Sequence, residues 1–174
     1  MLTPTQTNYL SKLPTEILQK PVQIYPWTSK GLEVAEKIIN EIKSAIPERK
    51  VIFIGSMALH IAGQRDIDLS VLCPFQDFVE PHKALEKLFG PPDKIGQTHI
   101  AWHFIKEGYE IGIYLTDPVE SKVQEQIDIF NILKNDSRLL KEYEDLKLAA
   151  NGLPYREYQI KKYDFYNRVL GLNI

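Results

Sequence analysis

Residues 54–69 constrain this chain more than any other stretch. A β-branched run at 50–54 ends in Gly55-Ser56, and after nine intervening residues comes Asp66-Ile67-Asp68-Leu69. Acidic and apolar residues alternate there, as they do on a strand, where residues i and i+2 share a face. Asp66 and Asp68 are expected to point one way, and Ile67 and Leu69 into a core. Two carboxylates held together repel, and one pKa rises unless a cation separates them. Mg²⁺ takes oxygen ligands, typically one or two carboxylates plus substrate phosphates. A divalent ion, Mg²⁺ or Mn²⁺, is therefore the expected cofactor, with Asp66 and Asp68 as ligands. Ahead of the acids, a short helix is expected at 57–62, closed by Gly63. Its N-terminus would offer free N–H groups and a favourable dipole to an anion. Gly55 lets a phosphate come close to the backbone, and Ser56 adds a hydroxyl donor. Arg65, just before the acid pair, is a further candidate phosphate contact. Gly-Ser alone usually marks a turn, and Asp-x-Asp alone a solvated strand edge. The two together, each flanked by apolar residues, point to phosphoryl transfer by positioning and charge neutralisation.

The rest of the chain supplies a scaffold for that segment. Its 174 residues fit one domain, 1–174, with an N-terminal extension at 1–29 and a helical tail at 118–174. Pro4, Pro14, Pro21 and Pro26 prevent a long helix near the start, and 22–27 reads as a short extended segment. Apolar residues recur at three and four over 30–46, which predicts a helix. Strands are expected at 50–54, 66–73, 99–105 and 109–115, the last two joined by a turn at Glu107-Gly108. Further helices are expected at 77–89, 119–134, 137–150 and 155–170. The sum is an α+β fold: a mixed sheet of about four to five strands flanked by helices, with a helical C-terminal tail.

Bulk properties narrow the setting. A net charge of −2 gives no overall attraction to nucleic acid. One cysteine, Cys73, rules out an internal disulfide and fits a reducing compartment. Residues 1–20 lack an apolar stretch of signal-peptide length, and no run approaches the ~18–20 apolar residues of a membrane span. A soluble, cytoplasmic protein with no membrane partner is expected.

Gly55-Ser56 with Asp66-Ile67-Asp68-Leu69 resembles the signature of the polymerase-β-like nucleotidyltransferase superfamily: Gly, then Gly or Ser, a spacer of about ten residues, then acid–apolar–acid–apolar on a strand. Within it the chain is most similar to the GrpB-like nucleotidyltransferase family. That family reads Gly-Ser-Thr-Ala-Val-Pro-Gly where this chain has Gly55-Ser56-Met57-Ala58-Leu59-His60. Its tail pattern, Tyr-x-x-Leu-Lys followed by Tyr-x-x-x-Lys, matches Tyr143, Leu146 and Lys147, then Tyr158 and Lys162. The resemblance covers about residues 22–170, including Val22-Gln23-Ile24-Tyr25-Pro26-Trp27 upstream. The chain departs from the family at His60 and Ile61, where relatives have Pro-Gly, and in a slightly shorter linker to the acids.

The resemblance implies a nucleotidyltransferase-like fold and a metal-dependent enzyme. It would transfer a nucleoside monophosphate from a nucleoside triphosphate to an acceptor hydroxyl and release pyrophosphate. The acceptor, whether small molecule, protein side chain or RNA end, is left open. The resemblance also implies a third acid on a later strand. Glu110 is the candidate, as a metal ligand that helps deprotonate the acceptor, and Asp117 is the fallback. Among the tail lysines Lys147, Lys161 and Lys162, Lys162 is the candidate phosphate contact, against the plainer reading of an exposed helix face. Two other readings stay open: a non-catalytic nucleotide-binding or regulatory module of the same fold, and an antitoxin-type nucleotidyltransferase acting on a partner protein. Elsewhere, His99 and His103 share a face if their segment is a strand, and His103 is a candidate to line a substrate pocket.

Overall fold

The structure, a computed structural model, describes residues 2–119 and 121–172. Positions 1, 120, 173 and 174 lie outside the described residues. So does the part of each expectation that falls on them: the start of the extension, one position of the helix at 119–134, and the end of the tail.

The chain divides into two compact units. The sheet unit runs from Trp27 to Ile61 and from Arg65 to Ile127. It opens with helix α1, Ser29–Ala45, followed by strands β1, Lys50–Ile54, and β2, Asp66–Leu72. A 3-10 turn, Phe75–Asp77, precedes helix α2, Val79–Phe89. Strands β3, Lys94–Ile95, β4, His99–Lys106, and β5, Tyr109–Thr116, complete the sheet in the order β1-β2-β5-β4-β3. Only the β2–β5 pair is parallel, so the sheet is mixed. β3 is a two-residue edge strand too short to show an alternating pattern in the sequence.

The two faces of the sheet differ. Ile67, Leu69 and Val71 of β2 and Ile111, Ile113 and Leu115 of β5 alternate onto one face and are essentially fully buried. Against them packs the apolar stripe of α1, with Val34, Ala35, Ile38 and Ile42 at 0% exposure. Each buried valine, leucine or isoleucine side chain here contributes about 1.5–3 kcal/mol, so this face drives folding. The opposite face takes the alternate residues, among them Asp66, Asp68, Glu110, Gly112, Tyr114 and His103. At the hairpin between β4 and β5, Glu107 and Gly108 both have positive φ, 52° and 84°, as a tight two-residue turn requires. Glu107 also pairs with Lys30 and Lys37 of α1.

The tail unit comprises the residues up to Pro26, the tripeptide 62–64 and the residues from Asp128 onward. Two short N-terminal helices, Pro4–Ser11 and Thr15–Gln19, occupy a region whose prolines excluded only a long helix. Pro4 sits in the first turn of its helix, where its missing N–H costs nothing. The extended segment expected after them forms single bridges, Pro21 to Pro154 and Tyr25 to Gly63. The three helices expected in the tail are present at Ser121–Asn135, Ser137–Ala149 and Tyr155–Val169.

One tail lysine departs from the exposed helix face read from the sequence. Lys147 is 3% exposed; its ammonium donates to the Tyr158 hydroxyl at 2.8 Å and lies 4.9 Å from the centre of the Tyr143 ring. A buried cation survives where it keeps a hydrogen bond and aromatic faces. This explains why Tyr143, Lys147 and Tyr158, all part of the family-like pattern, come together.

Candidate functional site

β2 pairs with β5 without interruption from Asp66 to Leu72, and with β1 from Asp68 onward. No bulge intervenes, so Asp66 and Asp68 share the face opposite the core, both half-buried. Parallel register places Glu110 beside Asp66 and Gly112 beside Asp68. Ile54, the last residue of β1, pairs with Asp68, so Gly55 and Ser56 leave the sheet at the same rim.

The expected helix at 57–62 does not form. Residues 56–60 are turns, closed by hydrogen bonds from the Leu59 N–H to the Gly55 carbonyl, the His60 N–H to the Met57 carbonyl and the Ile61 N–H to the Ser56 carbonyl. His60 interrupts any helix with φ +59°. Its ring lies against Trp27, with centroids 4.7 Å apart, and the Trp27 indole donates to the Met57 carbonyl at 3.1 Å. The dipole argument for phosphate therefore falls away. What remains is Gly55, whose φ of +87° suits glycine, and the adjacent Ser56, whose side chain is buried.

Asp68 is bracketed by glycines. A Cβ on Gly55 would stand 3.8 Å from Asp68 Oδ2, while one on Gly112 would stand 2.9 Å from Asp68 Oδ1 and 2.8 Å from the Tyr114 hydroxyl. The carboxylate thus presents one oxygen toward each glycine. Behind Tyr114 lies His103, with Nε2 3.1 Å from the Tyr114 hydroxyl and Nδ1 2.8 Å from Asp93 Oδ2. The other Asp93 oxygen accepts the backbone N–H of His103 at 2.9 Å. Burial pushes the Asp93 carboxyl up, but the hydrogen bond and charge of His103 outweigh it and hold the group below the usual carboxylate range.

The other expected residues fall as follows. Glu110 is exposed, and its amide donates to the Arg65 carbonyl at 3.0 Å, which anchors the start of β2 beside β5. Arg65 itself has φ +62° and an exposed side chain. Asp117 lies past the far end of β5 and spends its two oxygens on the amides of Phe75 and Val119, so it is a loop brace and not a third acid beside Asp66. Lys162 belongs to the tail unit, with its ammonium 5.5 Å from the centre of the Tyr166 ring.

Oxygen donors of this kind fit Mg²⁺ as it is usually bound, by one or two carboxylates with phosphates supplying the rest. Among the described residues, no three His, Cys, Asp or Glu side chains form a ready-made metal cage. Sequence reasoning missed Trp27, Tyr114 and Asp93. Only the shared face of β4 and β5 reveals Tyr114 beside His103, and Asp93 precedes the two-residue β3, which has no sequence signal.

The described elements make an α+β architecture, a mixed five-stranded sheet with helices, followed by helices at the C-terminal end. No protein-family model and no curated protein matches the sequence. Among solved structures, the conserved protein GrpB from Enterococcus faecalis has a similar fold. It is 13% identical, the match covers 85% of this chain and 97% of GrpB, and the TM-score is 0.64. The resemblance read from residues 22–170 thus holds at the level of fold. Structures of Cid1 also align. One reported for its RNA terminal uridylyl transferase activity is 15% identical over 67% of this chain and 40% of Cid1, with a TM-score of 0.47. Another, in complex with the UTP analogue UMPNPP, is 16% identical over 67% of this chain and 37% of Cid1, with a TM-score of 0.44. Among the described residues, no helix is long and apolar enough to cross a membrane.

Proposed function

We infer that this chain is a metal-dependent nucleotidyltransferase, moving a nucleoside monophosphate from a nucleoside triphosphate to an acceptor hydroxyl with release of pyrophosphate. The register carries this reading: Asp66 and Asp68 share one face of β2, Glu110 stands beside Asp66, and Gly55 approaches Asp68. Asp66 and Asp68 hold Mg²⁺ or Mn²⁺, with Glu110 as the third carboxylate. Bound there, the ion supplies charge neutralisation along the triphosphate. Gly55 and Ser56 receive the terminal phosphates, with Arg65 as an added cation at the rim. The chain contributes orientation and fixed charge, with no covalent intermediate. The GrpB-like fold supports the reading.

One observation favours a second reading, a nucleotide-binding module without turnover. The β5 residue in register with Asp68 is Gly112, so no acid stands directly beside that carboxylate. The test is thermal unfolding with each of four nucleoside triphosphates, with Mg²⁺, with Mn²⁺ and with chelator, alongside pyrophosphate release. A nucleotide is expected to raise Tm only with metal, and Asp68→Asn to abolish the rise. Glu110→Gln is expected to keep binding and lower turnover, because an acid acting mainly in the transition state affects kcat. Equal stabilisation in chelator would refute a carboxylate-held metal. Metal-dependent binding without turnover on any acceptor would favour the module.

A further inference from the structure

In-line displacement puts the attacking oxygen opposite the leaving pyrophosphate. In the sheet order β1-β2-β5-β4, Asp68 has Gly55 and Ser56 on its β1 side. If the terminal phosphates lie there, the acceptor hydroxyl must come from the β5 side, over Gly112. That side is equipped for it. Gly112 has no side chain, and both the Tyr114 hydroxyl and Asp68 Oδ1 converge within 2.9 Å of where a Cβ would be. Tyr114 leads to His103, and His103 to Asp93. The polarity of the chain follows from its end. The Asp93 carboxylate can only accept, so in the neutral form of the ring the hydrogen of His103 sits on Nδ1 and Nε2 is left to accept from the Tyr114 hydroxyl. Asp93 also grips the His103 backbone, which fixes the ring. The pair is about half exposed, at 47% and 51%. Exposed ion pairs add little stability, so stabilisation does not account for the arrangement.

We propose that Tyr114 meets the acceptor hydroxyl over Gly112 and receives its proton, with His103 and Asp93 as positioning residues that pass the proton to solvent. This rests on the nucleotidyltransferase reading. The acceptor oxygen bonds to the α-phosphorus. The bond from that phosphorus to pyrophosphate breaks, and its electron pair leaves with pyrophosphate. The acceptor proton goes to the Tyr114 oxygen as the Tyr114 proton moves to His103 Nε2. The imidazolium, held by Asp93, then returns a proton to water.

The test uses full-length wild-type protein, Tyr114→Phe and His103→Ala, with water and glycerol as hydroxyl probes. Mg²⁺ with a non-hydrolysable triphosphate should raise Tm equally in all three, since the variants alter only the acceptor side. Pyrophosphate release to water should fall ~100-fold in both variants. Added imidazole should restore it in His103→Ala and not in Tyr114→Phe. A readout independent of turnover is the His103 ring NMR signal, assigned by its loss in His103→Gln. With Mg²⁺ and the inert triphosphate bound, glycerol should shift that signal in wild type and not in Tyr114→Phe. Unchanged turnover in His103→Ala, or no glycerol shift in wild type, would overturn the proposal. If wild type binds no Mg²⁺–triphosphate, the nucleotidyltransferase reading fails and this inference with it. If it binds without turning over, the glycerol shift decides.

Discussion

Gly112→Ala perturbs the rim with a single methyl group. Gly112 has no positive φ to relax, so alanine suits its backbone and restricts the unfolded chain, a gain of about 0.4–1 kcal/mol. Against that, the new Cβ would lie 2.8 Å from the Tyr114 hydroxyl and 2.9 Å from Asp68 Oδ1. Carbon and oxygen do not tolerate such distances, so one or both side chains must shift, and overpacking of this kind costs about 1–3 kcal/mol. The unliganded protein should therefore lose about 0–2.5 kcal/mol, at about 2–4 °C per kcal/mol for a chain of this size. The ligand-dependent effect should be larger in proportion. A nucleotide at 100 times its Kd stabilises by about 2.7 kcal/mol, and a tenfold loss of affinity removes about 1.4 kcal/mol of that. Thermal unfolding with and without Mg²⁺–nucleotide separates the two effects. A variant that keeps the full ligand-dependent rise in Tm would refute the placement of Asp68 Oδ1 in the metal–nucleotide site.

Gly55→Ala should act through the backbone: φ +87° strains an alanine by about 1–2 kcal/mol. Its Cβ meets Asp68 only at an ordinary 3.8 Å, so unliganded Tm should fall, and an unchanged Tm would contradict the turn geometry. Tyr158→Phe removes the hydroxyl that accepts from the buried Lys147 ammonium and should cost about 1.5–3 kcal/mol in denaturant unfolding. A loss within error would mean that the aromatic faces alone hold the cation. His103→Gln should raise the depressed Asp93 pKa toward the ordinary value, about 3.9, in a carboxyl NMR titration. Because the native pKa is lowered, the contribution of the Asp93–His103 pair is present above the ordinary value and disappears as pH falls through the native one. An Asp93 titration identical in the variant would remove His103 as the cause.

What the sequence determines here is periodicity and its consequences. The α1 stripe, the alternation of β2 and the two strands at 99–106 and 109–116 follow from where apolar residues recur, because burial of one face sets the register. Asp66 and Asp68 share a face for the same reason. Local patterns fail where tertiary contacts override them. The turn after Gly55 has the composition of a helix, yet Trp27, packed against His60 and bonded to Met57, stabilises a tighter path. Lys147 looks like any surface lysine until Tyr143 and Tyr158, on a neighbouring turn and another helix, enclose it. Strand pairing alone decides which β5 residue stands beside each acid, and it sets Glu110 against Asp66 and Gly112 against Asp68. The chain from Asp93 through His103 to Tyr114 joins residues ten and eleven positions apart on the loop before β3 and on two strands. No periodicity could bring them together, because their contacts come from the sheet order and not from spacing along the sequence.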